Sequence, residues 1–284
     1  MIMNSSLKGI TAMFAVSIFV GLDALIVKYL SSDLSPILIV FTRALFGLPI
    51  IILVIFGRDI NLFRTKNFLP HLFRAILKII ALVMLFFALA KGNLSSVTTI
   101  SFTSPFFVIL GAMIFFSEKP HITTILALLL GFTGIFIVLN PSEKSQLVIL
   151  ILALSSAISI ATIQLILKHM GKTESAETLV FWNLFFTIPI TLIPAIYFWQ
   201  TPNIFQFILL VFQGVIGVLS QYFITRALQL ADASLVVPIE FVRLPFVSIA
   251  AYFIFGEVLN VSTIFGATLI FLSILLIAKG SYRL

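Results

Sequence analysis

Two charged side chains lie close together inside a long apolar stretch near the end of this sequence. Glu240 and Arg243 are three residues apart, a spacing that places both on one face of a helix. The planar guanidinium of Arg243 can hold a carboxylate with two hydrogen bonds, and Glu240 can accept an amine. The pair could therefore bind a zwitterionic solute. The alternative is that the two charges only neutralise each other and hold their helix against a neighbour.

A second possible pair lies in the first two apolar stretches. Asp23 and Arg43 flank one short hairpin, at similar distances from it, so we expect the two side chains to be in contact. Such a contact could act as a gate or as part of a site for a zwitterion. It could equally be a structural pair that locks the hairpin.

Further polar side chains lie within apolar stretches. Hydrogen bonding between helices is the default explanation for Gln164, Gln221 and Tyr222. Lys78 could line a cavity, or it could extend its amine toward a surface. We expect the latter of Arg74, which lies nearer the end of its stretch.

Residues that support catalysis or metal binding are sparse. The chain has no cysteine, its ten acidic residues are scattered, and its three histidines (His71, His121 and His169) are far apart in the sequence. The phosphate-binding pattern GxxxxGK[ST] is absent, which argues against ATP-driven pumping by this chain. We therefore predict no catalytic residue, no metal and no cofactor. This disfavours an integral membrane enzyme.

The composition is that of an integral membrane protein. Hydrophobic residues make up 61% of the chain and charged residues 10%, against roughly 45–50% and 25% in soluble domains. A charge near the bilayer centre costs roughly 2.5–3.5 kcal/mol on insertion scales, so each one calls for a partner or a function. Breaks in hydrophobicity predict ten membrane spans, at residues 8–29, 36–56, 71–91, 95–117, 122–139, 147–169, 176–199, 204–229, 233–255 and 260–279.

The distribution of lysine and arginine predicts the orientation. A cytoplasmic N-terminus places most basic residues on the cytoplasmic side, and leaves only Lys28, Lys91 and Lys144 near the opposite surface. The C-terminus is then cytoplasmic as well. The net charge of +7 describes a rim facing anionic lipid and gives no support to nucleic-acid binding.

The sequence is also duplicated. Residues 84–118 align without a gap to residues 223–257, and earlier segments align at an offset of 140; the matched pairs include Phe102 with Phe241, Glu118 with Glu257, and Lys28 with Lys168. This divides the chain into repeats at 1–141 and 142–284. Five spans per repeat is an odd number, so the copies must insert in opposite directions. The prediction is an all-α membrane fold of ten helices in two inverted five-helix repeats, with the substrate bound near the midplane.

Several landmarks together resemble a known family. The segment "FFALAKGNLSSVTTISFTSPFFVILGAMIFFSE" precedes "GFTGIFIVL", and "ALQLADASLVVPIEFVRLPFVSIAAYFIFGE" repeats the first of them. The order and duplication resemble the EamA-type branch of the drug/metabolite transporter superfamily over essentially the whole chain. The resemblance implies a cavity lined mainly by spans 1, 3, 4, 6, 8 and 9, which makes Gln164, Gln221 and Tyr222 better candidates for the site. The span-9 segment "PIEFVRLPFVSIAAYFIFGE" also resembles S-adenosylmethionine carriers of intracellular bacteria.

The sequence thus predicts a secondary transporter of small organic metabolites in the bacterial inner membrane, working by alternating access. The charged candidates favour amino acids or derivatives such as S-adenosylmethionine; the alternative is an exporter of hydrophobic drugs. Asp23 and Glu240 are the only acidic residues well inside the bilayer and are therefore the only obvious proton acceptors. Coupling of transport to protons and facilitated exchange without protons both stay open. A homodimer is possible, and Gly131 could serve its interface.

Overall fold

The computed structural model describes residues 2–55, 65, 67–118, 122–139 and 147–256, together with residues 261, 265, 266, 268, 269, 272, 273 and 276. The helices are α1 Ile2–Leu30, α2 Pro36–Ile55, α3 Phe68–Lys91, α4 Leu94–Ser101, α5 Ser104–Phe116, α6 Ile122–Leu139, α7 Leu147–Met170, α8 Ala176–Tyr197, α9 Ile204–Leu230, α10 Ala233–Val236, a 3-10 segment Val237–Val242, and α11 Arg243–Phe255. Seven stretches of these are long and apolar enough to cross a membrane. The chain is a multi-pass membrane protein, and its described residues form helices with no strand.

The predicted span 95–117 is covered by α4 and α5, and the predicted span 233–255 is confirmed as the stretch Ala233–Phe255, but neither is a continuous α-helix. The first is interrupted at Phe102 and Thr103, between α4 and α5, and the second contains the 3-10 segment. Pro105 and Pro238 lack the N–H that would bond to the carbonyl four residues earlier, which weakens the α-helix at both places. Hydroxyl groups compensate in part at the first break, where Thr103 donates to the carbonyl of Ile100. Glu257 and most of the predicted span 260–279 lie outside the described residues.

The second parts of the two interrupted stretches, α5 and α11, have the same local structure. α5 and α11 begin and end at positions that are 139 residues apart, which is the offset of the sequence alignment. Each is followed by a residue in the left-handed region, Ser117 at φ 55° and Gly256 at φ 65°. The duplication in the sequence is therefore a duplication of backbone conformation here.

The most extensive packing between helices joins the first half of the chain to the second. α1 packs along α9, α3 along α7, and α2 along α8. Glycines permit the approach of α2 to α9: a Cβ atom added to Gly214 would lie 2.7 Å from the Cβ of Phe46 and 3.1 Å from the backbone nitrogen of Gly47. Gly131, which could serve close helix packing or a dimer interface, is buried; an added Cβ would meet Ser273 and Phe241 at 3.3 and 3.4 Å. Its small size serves packing within the chain.

Candidate functional site

The predicted Glu240–Arg243 pair is present and buried. Arg243 Nη1 lies 3.8 Å from Glu240 Oε2, and the two residues expose only 3% and 8% of their surface. Glu240 is in the 3-10 segment and Arg243 begins α11, so the helix is not continuous between them. Gln164 of α7 donates a hydrogen bond from Nε2 to Glu240 Oε1 at 3.0 Å. This brings one of the predicted polar candidates into direct contact with the pair.

An aromatic wall completes this cluster. The guanidinium carbon of Arg243 lies 4.6 Å from the ring centroid of Phe102, and the Phe102 and Phe241 rings are 5.6 Å apart. Phe102 lies in the break between α4 and α5, so the two helix breaks meet at this point. Sequence reasoning did not select Phe102 among 31 phenylalanines. Its identity with Phe241 at the repeat offset was the available signal.

The expected Asp23–Arg43 contact is also confirmed. Arg43 Nη1 lies 3.0 Å from Asp23 Oδ2, and both side chains are buried. Gln213 of α9, fully buried, faces Asp23. A Cβ atom at Gly217 would collide with the Arg43 side chain, so glycine leaves room for the guanidinium against α9.

A small polar cavity adjoins this second pair. Its volume is about 10 Å³, close to the minimum that one water molecule occupies. Polar and charged residues from four helices line it: Arg43, Lys78, Asn183, Thr187 and Gln221. Lys78 thus lines a cavity, and with Gln221 it belongs to the Asp23–Arg43 cluster.

The predicted site residues fall into separate polar clusters. Among the residues that the structure describes, no hydrogen bond or ion pair joins the Asp23–Arg43 cluster to the Glu240–Arg243 cluster. Tyr222 belongs to neither, because its hydroxyl donates to Glu177 Oε1 at 3.4 Å. The eight candidates are therefore arranged as two polar clusters and an outlying tyrosine.

A third polar cluster was not foreseen from the sequence. His71 is fully buried, and its Nε2 lies 2.7 Å from Glu174 Oε2. The other oxygen of Glu174 accepts hydrogen bonds from Thr65 Oγ1 at 2.6 Å and from Asn67 Nδ2 at 2.9 Å. This one carboxylate therefore ties the start of α3 to the turn between α7 and α8.

The expectation that Arg74 extends to the surface was wrong. Arg74 is only 2% exposed and donates a hydrogen bond to the backbone carbonyl of Leu179 in α8. Its position near the end of the apolar stretch suggested a surface location, but the first turn of α8 covers it.

A fourth contact links the ends of three helices. Lys168 Nζ lies 2.7 Å from Glu118 Oε1 and donates to the carbonyl of Ala231 at 3.2 Å. Glu118 also accepts the backbone N–H groups of Ala233 and Ser234, at 3.3 and 3.1 Å. Burial alone would raise the pKa of Glu118, but the ion pair and hydrogen bonds with Lys168 and the hydrogen bonds of Ser234 outweigh it and lower that pKa below its ordinary 4.5.

The sequence and the fold of this chain are similar to those of known proteins. The model of the EamA-like transporter family matches residues 7–140 and again residues 147–279. An S-adenosylmethionine uptake transporter of Rickettsia felis is 28% identical over 86% of this chain and 83% of its own length, and that of Rickettsia prowazekii is 29% identical over 86% and 83%. A riboflavin transporter of Vibrio cholerae is 31% identical over 76% of this chain and 73% of its own. A crystal structure with 14% identity shares the fold, with a TM-score of 0.79 over 99% of this chain and 98% of that one.

Proposed function

We propose, from the premise that this chain belongs to the EamA-like transporter family, that it carries S-adenosylmethionine or a closely similar metabolite across the bacterial inner membrane by alternating access. The observation that carries the choice of substrate is the buried Glu240–Arg243 pair beside the Phe102–Phe241 wall. The chain is a transporter, and the substrate follows from the chemistry of this cluster.

The proposed architecture is ten helices in two inverted repeats, at 1–141 and 142–284, with both termini in the cytoplasm. Two observations support it: the family model matches the chain twice, and α5 and α11 repeat the same backbone conformation at the offset of the sequence repeat. Inverted repeats of this kind bind substrate at the midplane, where helices are interrupted. A homodimer stays a prediction.

The Glu240–Arg243 cluster offers partners for the charged groups and the adenine ring of S-adenosylmethionine. That molecule has a carboxylate, an ammonium group, a sulfonium cation and an adenine ring. Arg243 suits the carboxylate, because a guanidinium holds both oxygens at once. Glu240 suits the cationic groups, and the Phe102 and Phe241 rings suit the adenine, since a flat π-system stacks on aromatic side chains. Gln164 keeps Glu240 oriented when Arg243 turns to the substrate.

Riboflavin is the second candidate, because a riboflavin transporter is among the relatives. Its flat ring system would also stack on the aromatic wall. It carries no charge at neutral pH, however, so it would leave the buried ion pair without a role in recognition. An exporter of hydrophobic drugs would have still less use for these charges.

The test is ligand-induced thermal stabilisation of the purified protein, followed by exchange of labelled substrate in proteoliposomes. The panel holds S-adenosylmethionine, S-adenosylhomocysteine, methionine, riboflavin and a hydrophobic cation. A ligand at 100 times its Kd stabilises the folded state by about 2.7 kcal/mol. We expect the largest stabilisation from S-adenosylmethionine. Stabilisation by riboflavin or the hydrophobic cation alone would contradict the proposal. An exchange rate that does not change with pH would favour exchange over proton coupling.

A further inference from the structure

We propose that Glu118 and Lys168 form a latch that closes the Glu240–Arg243 site toward the cytoplasm and must break for that side to open. The latch is defined as the Glu118–Lys168 ion pair with its hydrogen bonds to the backbone of residues 231–234. The inference rests on the proposed transport function and orientation.

The latch joins elements from both halves of the chain. Glu118 follows α5, Lys168 is in the last turn of α7, and the backbone of Ala233 and Ser234 starts α10. The glutamate thus holds the second half through a lysine side chain and two backbone N–H groups at once. Separating the halves at this end requires all of these contacts to be lost together.

Short helical segments connect the latch to the site. α5 runs from the latch to the break that holds Phe102, a length of about 18 Å at 1.5 Å per residue. α10 and the 3-10 segment run from the latch to Glu240. One part of each interrupted stretch, α5 in the first and α10 with the 3-10 segment in the second, therefore connects the latch directly to the site.

The surroundings of the latch distinguish it from an ordinary surface ion pair. The Lys168 and Glu118 side chains are only 10% and 7% exposed, whereas Asp232, 3.8 Å from the same amine, is 74% exposed. Exposed pairs contribute little because water and salt screen them. Enclosure removes most of that screening, so Glu118 is the effective partner and Asp232 is a natural comparison.

The sequence repeat places the same lysine contact at the opposite end of the molecule. Lys28 donates to the carbonyl of Gly92, as Lys168 does to that of Ala231. These lysines and these carbonyl residues are counterparts in the repeat alignment. Both ends are therefore held, and the site between them is buried. This is the geometry of an occluded state, from which alternating access opens one end at a time.

The experiment uses the natural absence of cysteine. A single substitution, Ser101→Cys, at the position that aligns with Glu240 in the repeat, serves as the reporter. It is labelled with a charged, membrane-impermeant thiol reagent in inside-out and in right-side-out vesicles. Glu118→Gln keeps an acceptor oxygen but removes the charge. We expect it to raise the labelling rate from the cytoplasmic side about tenfold, the shift that accompanies loss of one charge-assisted hydrogen bond. The rate from the outer side should not rise.

Asp232→Asn is the matched control, because it removes the same charge near the same lysine from an exposed position. We expect it to change the rate less than about twofold. Lys168→Gln, which removes the other partner, must reproduce the one-sided rise and replaces Glu118→Gln if that variant fails to fold. An equal rise on both sides, an equal rise in Asp232→Asn, or no rise in either latch variant would overturn the latch. The labelling needs no substrate, so a failure of S-adenosylmethionine transport would count against the proposed substrate alone.

Discussion

Replacing Arg243 by glutamine leaves the Glu240 carboxylate buried without its cationic partner. The same substitution made together with Glu240→Gln removes both charges and leaves two neutral side chains of similar size. These two variants distinguish a structural role of the pair from a role in substrate binding. If the pair is only structural, the double variant should regain both stability and transport. If the pair binds substrate, transport should be impaired in both variants.

The expected magnitude follows from the distance and the burial of the pair. At 3.8 Å and an effective dielectric constant of about 20, the attraction between unit charges is roughly 4 kcal/mol. Removing one partner of a buried pair costs about 3–5 kcal/mol. We expect the lower end, about 3 kcal/mol, because Gln164 continues to donate to Glu240. The double variant should recover most of this loss, since replacing both charges of a buried pair by neutral groups is often nearly neutral.

The assays are thermal unfolding of the purified protein and exchange of labelled S-adenosylmethionine in proteoliposomes. Arg243→Gln should lower both stability and exchange. The double variant should regain stability and still show apparent affinity reduced by about 10- to 100-fold, the value of a lost hydrogen bond to a charged group. Arg226→Gln is the control, because it removes the same charge from an exposed position on α9. Exchange at the normal rate in the double variant would refute a role for the pair in binding.

Three other predictions concern the remaining clusters. Glu174→Gln should lower the stability by about 1–3 kcal/mol in thermal unfolding, because it weakens the contact with the buried His71 and leaves a polar group there poorly satisfied; an unchanged unfolding temperature would show that this cluster contributes nothing. Gly214→Ala should destabilise the protein by about 1–3 kcal/mol, because its Cβ would press on the backbone of α2, whereas Gly131→Ala, with its nearest contact at 3.3 Å, should cost clearly less. The pKa of Glu118 in the folded state is below its ordinary value of 4.5, so its stabilising charge is fully present above pH 4.5 and is lost only as the pH falls through that lower pKa. The ratio of labelling rates between Glu118→Gln and the parent reporter should therefore be constant from about pH 5.5 to 8. A ratio that falls toward one at the acidic end of this range would contradict the lowered pKa.

The positions of the helices could largely be predicted from hydropathy. The predicted span 122–139 coincides with α6, and the span 36–56 ends one residue from the end of α2. Proline, glycine and polar residues at the span ends are local signals, and they suffice to locate a boundary. The interruptions near Phe102 and Glu240 are different, because both stretches stay apolar on average while their hydrogen-bonding changes. A hydropathy average does not register that change.

The composition of the site was less predictable than its charges. Contact between Asp23 and Arg43 could be expected because one hairpin connects their helices. The contact of Gln164 with Glu240 depends on how α7 packs against the 3-10 segment, and that is not a property of either segment alone. The same holds for Arg74, where depth along α3 was the only available guide. The N-terminal turn of α8 covers it, and no local feature of α3 indicates that neighbour.

α5 and α11 share their backbone conformation, but the two charges beside the break before α11 have no charged counterparts in the first repeat, and this difference bears on mechanism. The counterparts of Glu240 and Arg243 are Ser101 and Ser104, and the Ser101 hydroxyl donates to the carbonyl of Val97 within its own helix. The lysine contacts at the two ends, by contrast, occur in both repeats. Opening to two sides needs two equivalent gates, whereas one substrate molecule per cycle needs one set of charges. On the proposed roles, the lysine contacts of the gates are duplicated, whereas the charged pair of the binding site occurs in the second repeat alone. We therefore expect substitutions of Glu240 or Arg243 to change the substrate without changing the gates.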